Sequence, residues 1–199
     1  MKKTNKKLAV LSDIGLFLMF NNLCNSQKWF EGEALYSCTA ELGNIHLDNV
    51  IETKVYYKDG NILSKSYTKE LGESTNLFNY KEQTYYNKFY DSKITTKKVS
   101  EYGPINVVEI DRNIVVINGH KCIKVVTSTT DNEYGESTSI DWVDESYNIP
   151  YNAGRIAEVP KGLIVKNELT IKSLIFNSTS TKELKEIKET KVSDSKFKL

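Results

Sequence analysis

The segment Ile114-Val115-Val116-Ile117-Asn118-Gly119-His120-Lys121-Cys122-Ile123-Lys124-Val125-Val126 contains two apolar runs joined by an Asn-Gly pair. Glycine adopts positive φ angles without steric cost, and Asn-Gly is a preferred pair for the two-residue type I′ turn. β-Branched residues make up the first run and recur in the second, and such residues favour extended strands. The segment therefore predicts a tight antiparallel hairpin centred on Asn118-Gly119.

Alternation of apolar and polar residues extends this prediction toward both ends of the chain. A period of two indicates a strand that packs one of its faces on a core. The pattern occurs at residues 31–42, on both sides of the Asp59-Gly60 pair, and at residues 163–175. Short aromatic-rich runs between residues 77 and 99 are interpreted as a meander of strands.

These patterns together predict the fold class. A strand over residues 163–175 would measure about 40 Å and has to curve to stay within a compact domain. We expect an all-β (mostly β) fold with little helix, built on a curved antiparallel sheet or half-open barrel. Residues 145–160 are predicted to be a loop. In the charged tail from Lys182, the spacing of Leu184 and Ile187 fits a helix.

The first 26 residues have the composition of an export signal. Four lysines precede an apolar run, and small residues at Cys24 and Ser26 predict cleavage before Gln27. The run is shorter than the roughly 20 residues of a membrane span, so we expect no transmembrane span. Leu23 precedes Cys24 where a lipoprotein signal needs a small residue, so lipoprotein anchoring at Cys24 is not expected. Residues 27–199 are predicted to be a single β domain in the periplasm, cell envelope or extracellular space.

Charge and cysteine content narrow the function classes. Removal of four lysines and one aspartate from the 27 basic and 26 acidic residues leaves a net charge of about −2. No clustered basic face is expected, which argues against nucleic-acid binding. Cys38 and Cys122 remain after export, and a disulfide or two buried free thiols fit this count equally well.

Motifs for catalysis and metal binding are sparse. His46 and His120 are the two histidines, and His120 is predicted to share a strand face with Cys122. Two such groups do not complete a zinc or copper site. The chain also lacks a G-x-S-x-G motif and a glycine-rich phosphate loop. We therefore predict a noncatalytic protein without a metal or cofactor.

Aromatic residues are dense between residues 56 and 90. They fit two interpretations: side chains that fill sheet faces, or walls of a cavity for an amphiphilic ligand. Under the second interpretation, the candidate ligand-binding residues are Tyr57, Phe78, Tyr86, Phe89 and Trp142.

Four motifs carry a family resemblance. Residues 117–124 (INGHKCIK), 140–143 (IDWV), 148–150 (NIP) and 159–164 (VPKGLI) resemble the signature of the GLPGLI family of exported bacterial proteins. His120 stands where that family has tyrosine, and the last motif has one extra residue and lacks the first glycine. The order of segments is also similar to the wider LolA-like group. That resemblance implies a half-open barrel that shelters lipid acyl chains, and it implies no catalytic residue. It also favours a final edge strand, rather than a helix, for the charged tail from Lys182.

The sequence thus predicts an exported, noncatalytic envelope or periplasmic protein. Its expected partner is a lipid or another hydrophobic small molecule bound in a concave sheet. The alternative is a structural or interaction module that presents residues 145–160 to an envelope protein.

Overall fold

The computed structural model describes residues 28–42, 45–68, 72–131, 135–172 and 177–199. Within these ranges, eleven strands form one antiparallel sheet in the order β6-β5-β4-β3-β2-β1-β11-β10-β9-β8-β7. The strands are β1 (Gly32–Leu42), β2 (Ile45–Lys58), β3 (Asn61–Thr68), β4 (Gly72–Asn79), β5 (Thr84–Phe89), β6 (Thr95–Lys98), β7 (Asn106–Ile117), β8 (His120–Asp131), β9 (Gly135–Asp144), β10 (Leu163–Lys172) and β11 (Asn177–Glu189).

The sheet is curved and unclosed, with β6 and β7 at its edges. Helix in the described ranges is limited to short 3₁₀ segments at Val99–Glu101, Tyr151–Gly154 and Asp194–Phe197. The predicted all-β class with little helix is therefore confirmed. In the described part of the chain, no helix has both the length and the apolar character needed to cross a membrane. The predicted export signal, including Cys24, lies outside the described residues.

The central hairpin forms as the sequence predicts. Asn118 and Gly119 have φ angles of 50° and 84°, and Ile117 pairs with His120 across the turn. Positive φ at both turn residues is the requirement of a type I′ turn. The preceding strand, β7, begins well before this hairpin and runs without interruption through Asp111 to Asn113. Register shifts after Val107 and after Asp111 accommodate the extra residues as bulges.

The last strand corrects one prediction. β11 lies inside the sheet, between β1 and β10, and is not an edge strand. Tyr36 pairs with Leu184 while Leu35 pairs with Glu186, so Lys185 is an extra residue on β11. This bulge places Leu184 and Ile187 opposite Tyr36 and Ala34 although they are three residues apart. The apparent helical spacing is thus produced by a bulged strand.

Two segments of the chain cover the two faces of the sheet. We call the face that carries Tyr36, Tyr57 and Asp141 the inner face, and residues 145–160 the covering loop. Apolar residues of the covering loop are buried against the inner face: Ile149, Tyr151, Ala153, Ile156 and Val159. On the opposite, outer face, Val192 and Phe197 of the C-terminal segment pack on Tyr56, Leu63 and Leu77.

The end of the covering loop depends on a glycine. Gly162 is buried, and a Cβ there would collide with the Val143 side chain and lie 3.3 Å from the Asp144 carbonyl oxygen. We expect Gly162→Ala to lower the free energy of unfolding by about 1–3 kcal/mol, because the added methyl overpacks the contact between the loop and β9. Urea denaturation followed by circular dichroism measures this change.

Gly103→Ala is the matched control. A Cβ at Gly103 would meet only the Thr130 carbonyl oxygen, at 3.9 Å. Equal destabilisation by the two substitutions would contradict the assignment of Gly162 as a close-packing position.

Candidate functional site

A pocket of about 160 Å³ lies between the inner face and the covering loop. β1, β2, β3, β10 and β11 supply its floor, and the start of the covering loop supplies one wall. Its lining combines aliphatic side chains with phenols, one serine and one lysine. The lining residues are Tyr36, Val55, Tyr57, Ile62, Ser64, Ile149, Pro150, Tyr151, Gly162, Ile164 and Lys182.

Two tyrosines join the floor of the pocket to β10. The Tyr36 hydroxyl donates to the Ile164 carbonyl oxygen at 3.0 Å and lies 3.2 Å from the Tyr57 hydroxyl oxygen. Because Tyr36 has a single hydroxyl proton, Tyr57 is the donor between the two phenols. Burial raises the pKa of both groups, that of Tyr57 to about 12. Both phenols are therefore neutral at physiological pH.

Lys182 brings the one ammonium into this lining. Its Nζ lies 4.3 Å from the centroid of the Tyr36 ring, a cation–π distance. It forms no hydrogen bond or ion pair with another described residue. Burial lowers the pKa of Lys182, and this effect is opposed by the nearby Cys38 and Asp141. An ammonium in such surroundings is short of charged hydrogen-bond partners.

Asp141 is the anchor of the covering loop. The residue is 3% exposed, and its carboxylate accepts hydrogen bonds from the Tyr151 hydroxyl at 2.6 Å, Asn167 Nδ2 at 2.6 Å and Ser139 Oγ at 3.3 Å. Burial raises the pKa of the Asp141 carboxyl, and the three donors partly oppose this rise. Strand pairing brings Asp141 close to Lys182, because Asn167 is the partner of Asp141 on one side and of Lys182 on the other.

The five residues that the sequence suggested as ligand contacts do not share one face. Strand register places Tyr57 and Phe78 on the inner face with Ile62, and Phe89 follows them on β5. Tyr57 lines the pocket, Phe78 packs beside the Tyr85 ring at 4.9 Å, and Phe89 is 53% exposed.

Tyr86 projects from the opposite face, whereas Trp142 is partly buried against the core cluster that contains Tyr36 and Tyr57. Tyr86 pairs with Leu77 and packs in the cluster covered by the C-terminal segment. Trp142 follows Asp141 in β9, and Lys166 Nζ lies 4.9 Å from its ring. Sequence reasoning missed Tyr36, Tyr151 and Lys182. Of these, only Tyr36 carried a signal, since it belongs to the alternating apolar face of β1.

His120 forms a second polar cluster at the end of β8. Its Nδ1 lies 3.0 Å from Asp144 Oδ2, and Ser146 Oγ donates to Asp144 Oδ1 at 2.6 Å. Burial opposes ionisation of Asp144, but the hydrogen bonds from Ser146 and His120 keep its pKa below the usual range. In the described part of the chain, no three His, Cys, Asp or Glu residues form a group that could hold a metal ion. The side chain of His46 lies outside the described residues.

Comparisons with known proteins give fold-level likenesses only. No protein-family model matches the sequence, and no curated protein matches it. Among solved structures, PNGF-II has a TM-score of 0.46 and 15% identity over 81% of this chain, which spans 29% of the PNGF-II chain. The Mycobacterium tuberculosis lipoprotein LppX has a TM-score of 0.37 and 9% sequence identity, and the match covers 81% of this chain and 90% of LppX. An outer membrane lipoprotein-sorting protein domain from Vibrio parahaemolyticus has a TM-score of 0.35 and 10% sequence identity, and the match covers 86% of this chain and 90% of that domain.

The hydrogen bond between Tyr151 and Asp141 should stabilise the covering loop. We expect Tyr151→Phe to lower the free energy of unfolding by about 1–3 kcal/mol, because a buried carboxylate oxygen loses its donor. Chemical denaturation monitored by tryptophan fluorescence measures the difference. Tyr147→Phe is the control, since the Tyr147 hydroxyl makes no hydrogen bond with a described residue. A Tyr151→Phe protein as stable as the control would contradict the anchoring role.

The two described cysteines are free, and their thiols should differ in reactivity. Cys122 is fully buried, and burial together with Asp144 raises its pKa to about 11. Cys38 keeps some exposed surface, although burial also raises its pKa. In a Cys24→Ser background we expect a thiol reagent to modify Cys38 slowly and Cys122 only after denaturation. Loss of both thiols in the native, unreduced protein would indicate a disulfide and contradict this expectation.

Proposed function

We propose that the protein is an exported, noncatalytic envelope or periplasmic protein that binds an amphiphilic ligand in the inner-face pocket. The observation that carries the proposal is the composition of this pocket. Aliphatic walls from Val55, Ile62, Ile149 and Ile164 surround a few polar groups, including the Lys182 ammonium. A mostly apolar cleft with few convergent polar groups is the usual form of a small-molecule site.

The size of the pocket limits what it accepts. The pocket has a volume of about 160 Å³. It is smaller than the roughly 300 Å³ at which pockets for drug-sized ligands begin. The pocket therefore suits a head group with its first few carbon atoms, and the remainder of a longer lipid would lie outside it.

Two observations support the noncatalytic part of the proposal. Cys122 Sγ lies 3.7 Å from the His120 carbonyl oxygen and is fully buried, so it has no access to a substrate. The His120 ring pairs with Asp144, but no nucleophile among the described residues is hydrogen-bonded to that ring. A catalytic triad needs such a contact between nucleophile and base.

The alternative, an interaction module that presents the covering loop to an envelope protein, has less support. The large apolar residues of this loop point into the core, as Ile149, Tyr151 and Ile156 show with exposures of 4%, 1% and 2%. The exposed positions of the loop include Gly154, Glu158 and Pro160. Protein interfaces depend on aromatic or aliphatic side chains that become buried against the partner. The large apolar side chains of the covering loop are already buried in the core of this protein.

Filling the pocket should abolish ligand binding. Ser64 lines the pocket, and Ser64→Trp places an indole in the space where a ligand would lie. We expect the wild-type protein to bind the uncharged methyl ester of dansyl-undecanoic acid, with enhanced dansyl fluorescence, and Ser64→Trp to weaken this binding by about tenfold or more.

Lys65→Trp is the matched control. Lys65 neighbours Ser64 on β3 but faces the opposite side, where it contacts Glu73 at 3.1 Å. Equal loss of binding in both variants, or no binding by the wild-type protein, would refute ligand binding in this pocket.

A further inference from the structure

We propose that the inner-face pocket selects amphiphiles with an anionic carboxylate head group, and that the Lys182 ammonium binds this carboxylate. This inference rests on the proposed ligand-binding function and specifies the ligand class.

The first step is the position of Lys182 Nζ. In the described part of the chain, every buried side-chain nitrogen or oxygen has a hydrogen-bond partner. Lys182 Nζ has no such partner among the described residues, so it keeps accessible surface, and the residue lines the pocket. The ammonium therefore retains its three N–H donors for a ligand.

The second step is that Asp141 does not take these donors. Asp141 Oδ2 accepts from Tyr151, and Oδ1 accepts from Asn167 and Ser139. Asp141 and Lys182 attract each other through the protein but form no ion pair. The protein thus satisfies its buried carboxylate with neutral donors and leaves its pocket-lining ammonium without a contacting anion.

The third step concerns the other polar groups of the pocket. Tyr36 donates its hydroxyl proton to the Ile164 carbonyl oxygen, and Tyr57 donates to Tyr36. Both hydroxyl protons already form hydrogen bonds within the protein, so neither phenol is a free donor to a ligand. Lys182 remains as the charged donor, and Ile62 and Val55 provide apolar contact for the adjoining carbon atoms.

The fourth step distinguishes carboxylate from phosphate. A carboxylate brings one negative charge, which a single ammonium neutralises. A phosphate monoester carries about −1.5 to −2 charges near neutral pH, and the excess would lie near the buried Asp141 carboxylate. The charge balance of the pocket therefore favours a fatty-acid-like carboxylate.

The test compares dansyl-undecanoic acid with its methyl ester in fluorescence titrations at neutral pH. For the wild-type protein we expect the acid to bind about tenfold or more tightly than the ester, because a charge-assisted hydrogen bond is lost in the ester. Lys182→Met keeps a chain of similar length without charge, and it should bind both probes equally. Lys185→Met is the control, because Lys185 lies three residues away on β11, is exposed, and contacts Glu183 at 3.4 Å; it should retain the preference.

The possible outcomes separate this inference from the proposed function. Equal binding of acid and ester by the wild-type protein would overturn carboxylate selection while leaving ligand binding intact, and this comparison needs no variant. Retention of the preference in a folded Lys182→Met protein would overturn the assignment of Lys182. If dodecyl phosphate displaces the acid probe more effectively than dodecanoate does, the carboxylate class is wrong. Binding of neither probe would refute the proposed function itself.

Discussion

The inner face of the sheet requires an apolar cover, and the covering loop is the described segment that packs on its β7–β10 half. In the described residues, an open sheet without an α-helix has no other element to bury Ile123, Val125 and Val143. Residues 145–160 bring Tyr151, Ile156 and Val159 onto these side chains. Burial of apolar surface of this kind is the main favourable term in folding, so the loop is part of the core. The start of the loop, at Ile149, packs against Tyr36 and Tyr57 and forms one wall of the pocket.

The same loop is fixed by polar contacts that a loop alone could not provide. Tyr151 reaches Asp141 on β9, the Ile149 carbonyl oxygen accepts from the Gly162 amide at 2.8 Å, and the Asn148 carbonyl oxygen accepts from the Phe30 amide at 2.9 Å. These bonds join the loop to β9, to its own exit and to the segment before β1. Because buried backbone groups need partners, the contacts permit an irregular segment to pack closely on a sheet. The pocket wall is therefore held by the core and by the segment before β1 together.

The sequence predicted the strands well because each strand is a local pattern of period two. The turns at Asp59-Gly60 and Asn118-Gly119 were readable for the same reason, since the need for positive φ is local. Strand order and bulges are not local. The position of β11 inside the sheet follows from its pairing with both β1 and β10. The bulge at Lys185 gives Leu184 and Ile187 a spacing that is typical of a helix. The density of aromatic residues also does not indicate on which face of the sheet each side chain lies. Tyr85 pairs with Phe78 on the inner face, whereas Tyr86 faces outward. Lys182 could not be recognised, because a lysine in a charged tail normally points to solvent.

The electrostatics of the pocket follow from strand register. One row of paired residues crosses four strands in the order Asp141, Asn167, Lys182 and Cys38. It places one acid and one base on the same face of the sheet, with the Asn167 amide between them. Direct contact would have made an internal ion pair and left the pocket neutral and inert. The intervening Asn167 instead donates to Asp141, which stabilises the carboxylate without using the ammonium. In the proposed complex, Lys182 would attract the anion and Asp141 would repel it, and the three hydrogen bonds to Asp141 would weaken this repulsion. If the pocket binds a carboxylate as proposed, the bonds that anchor the covering loop also affect that binding.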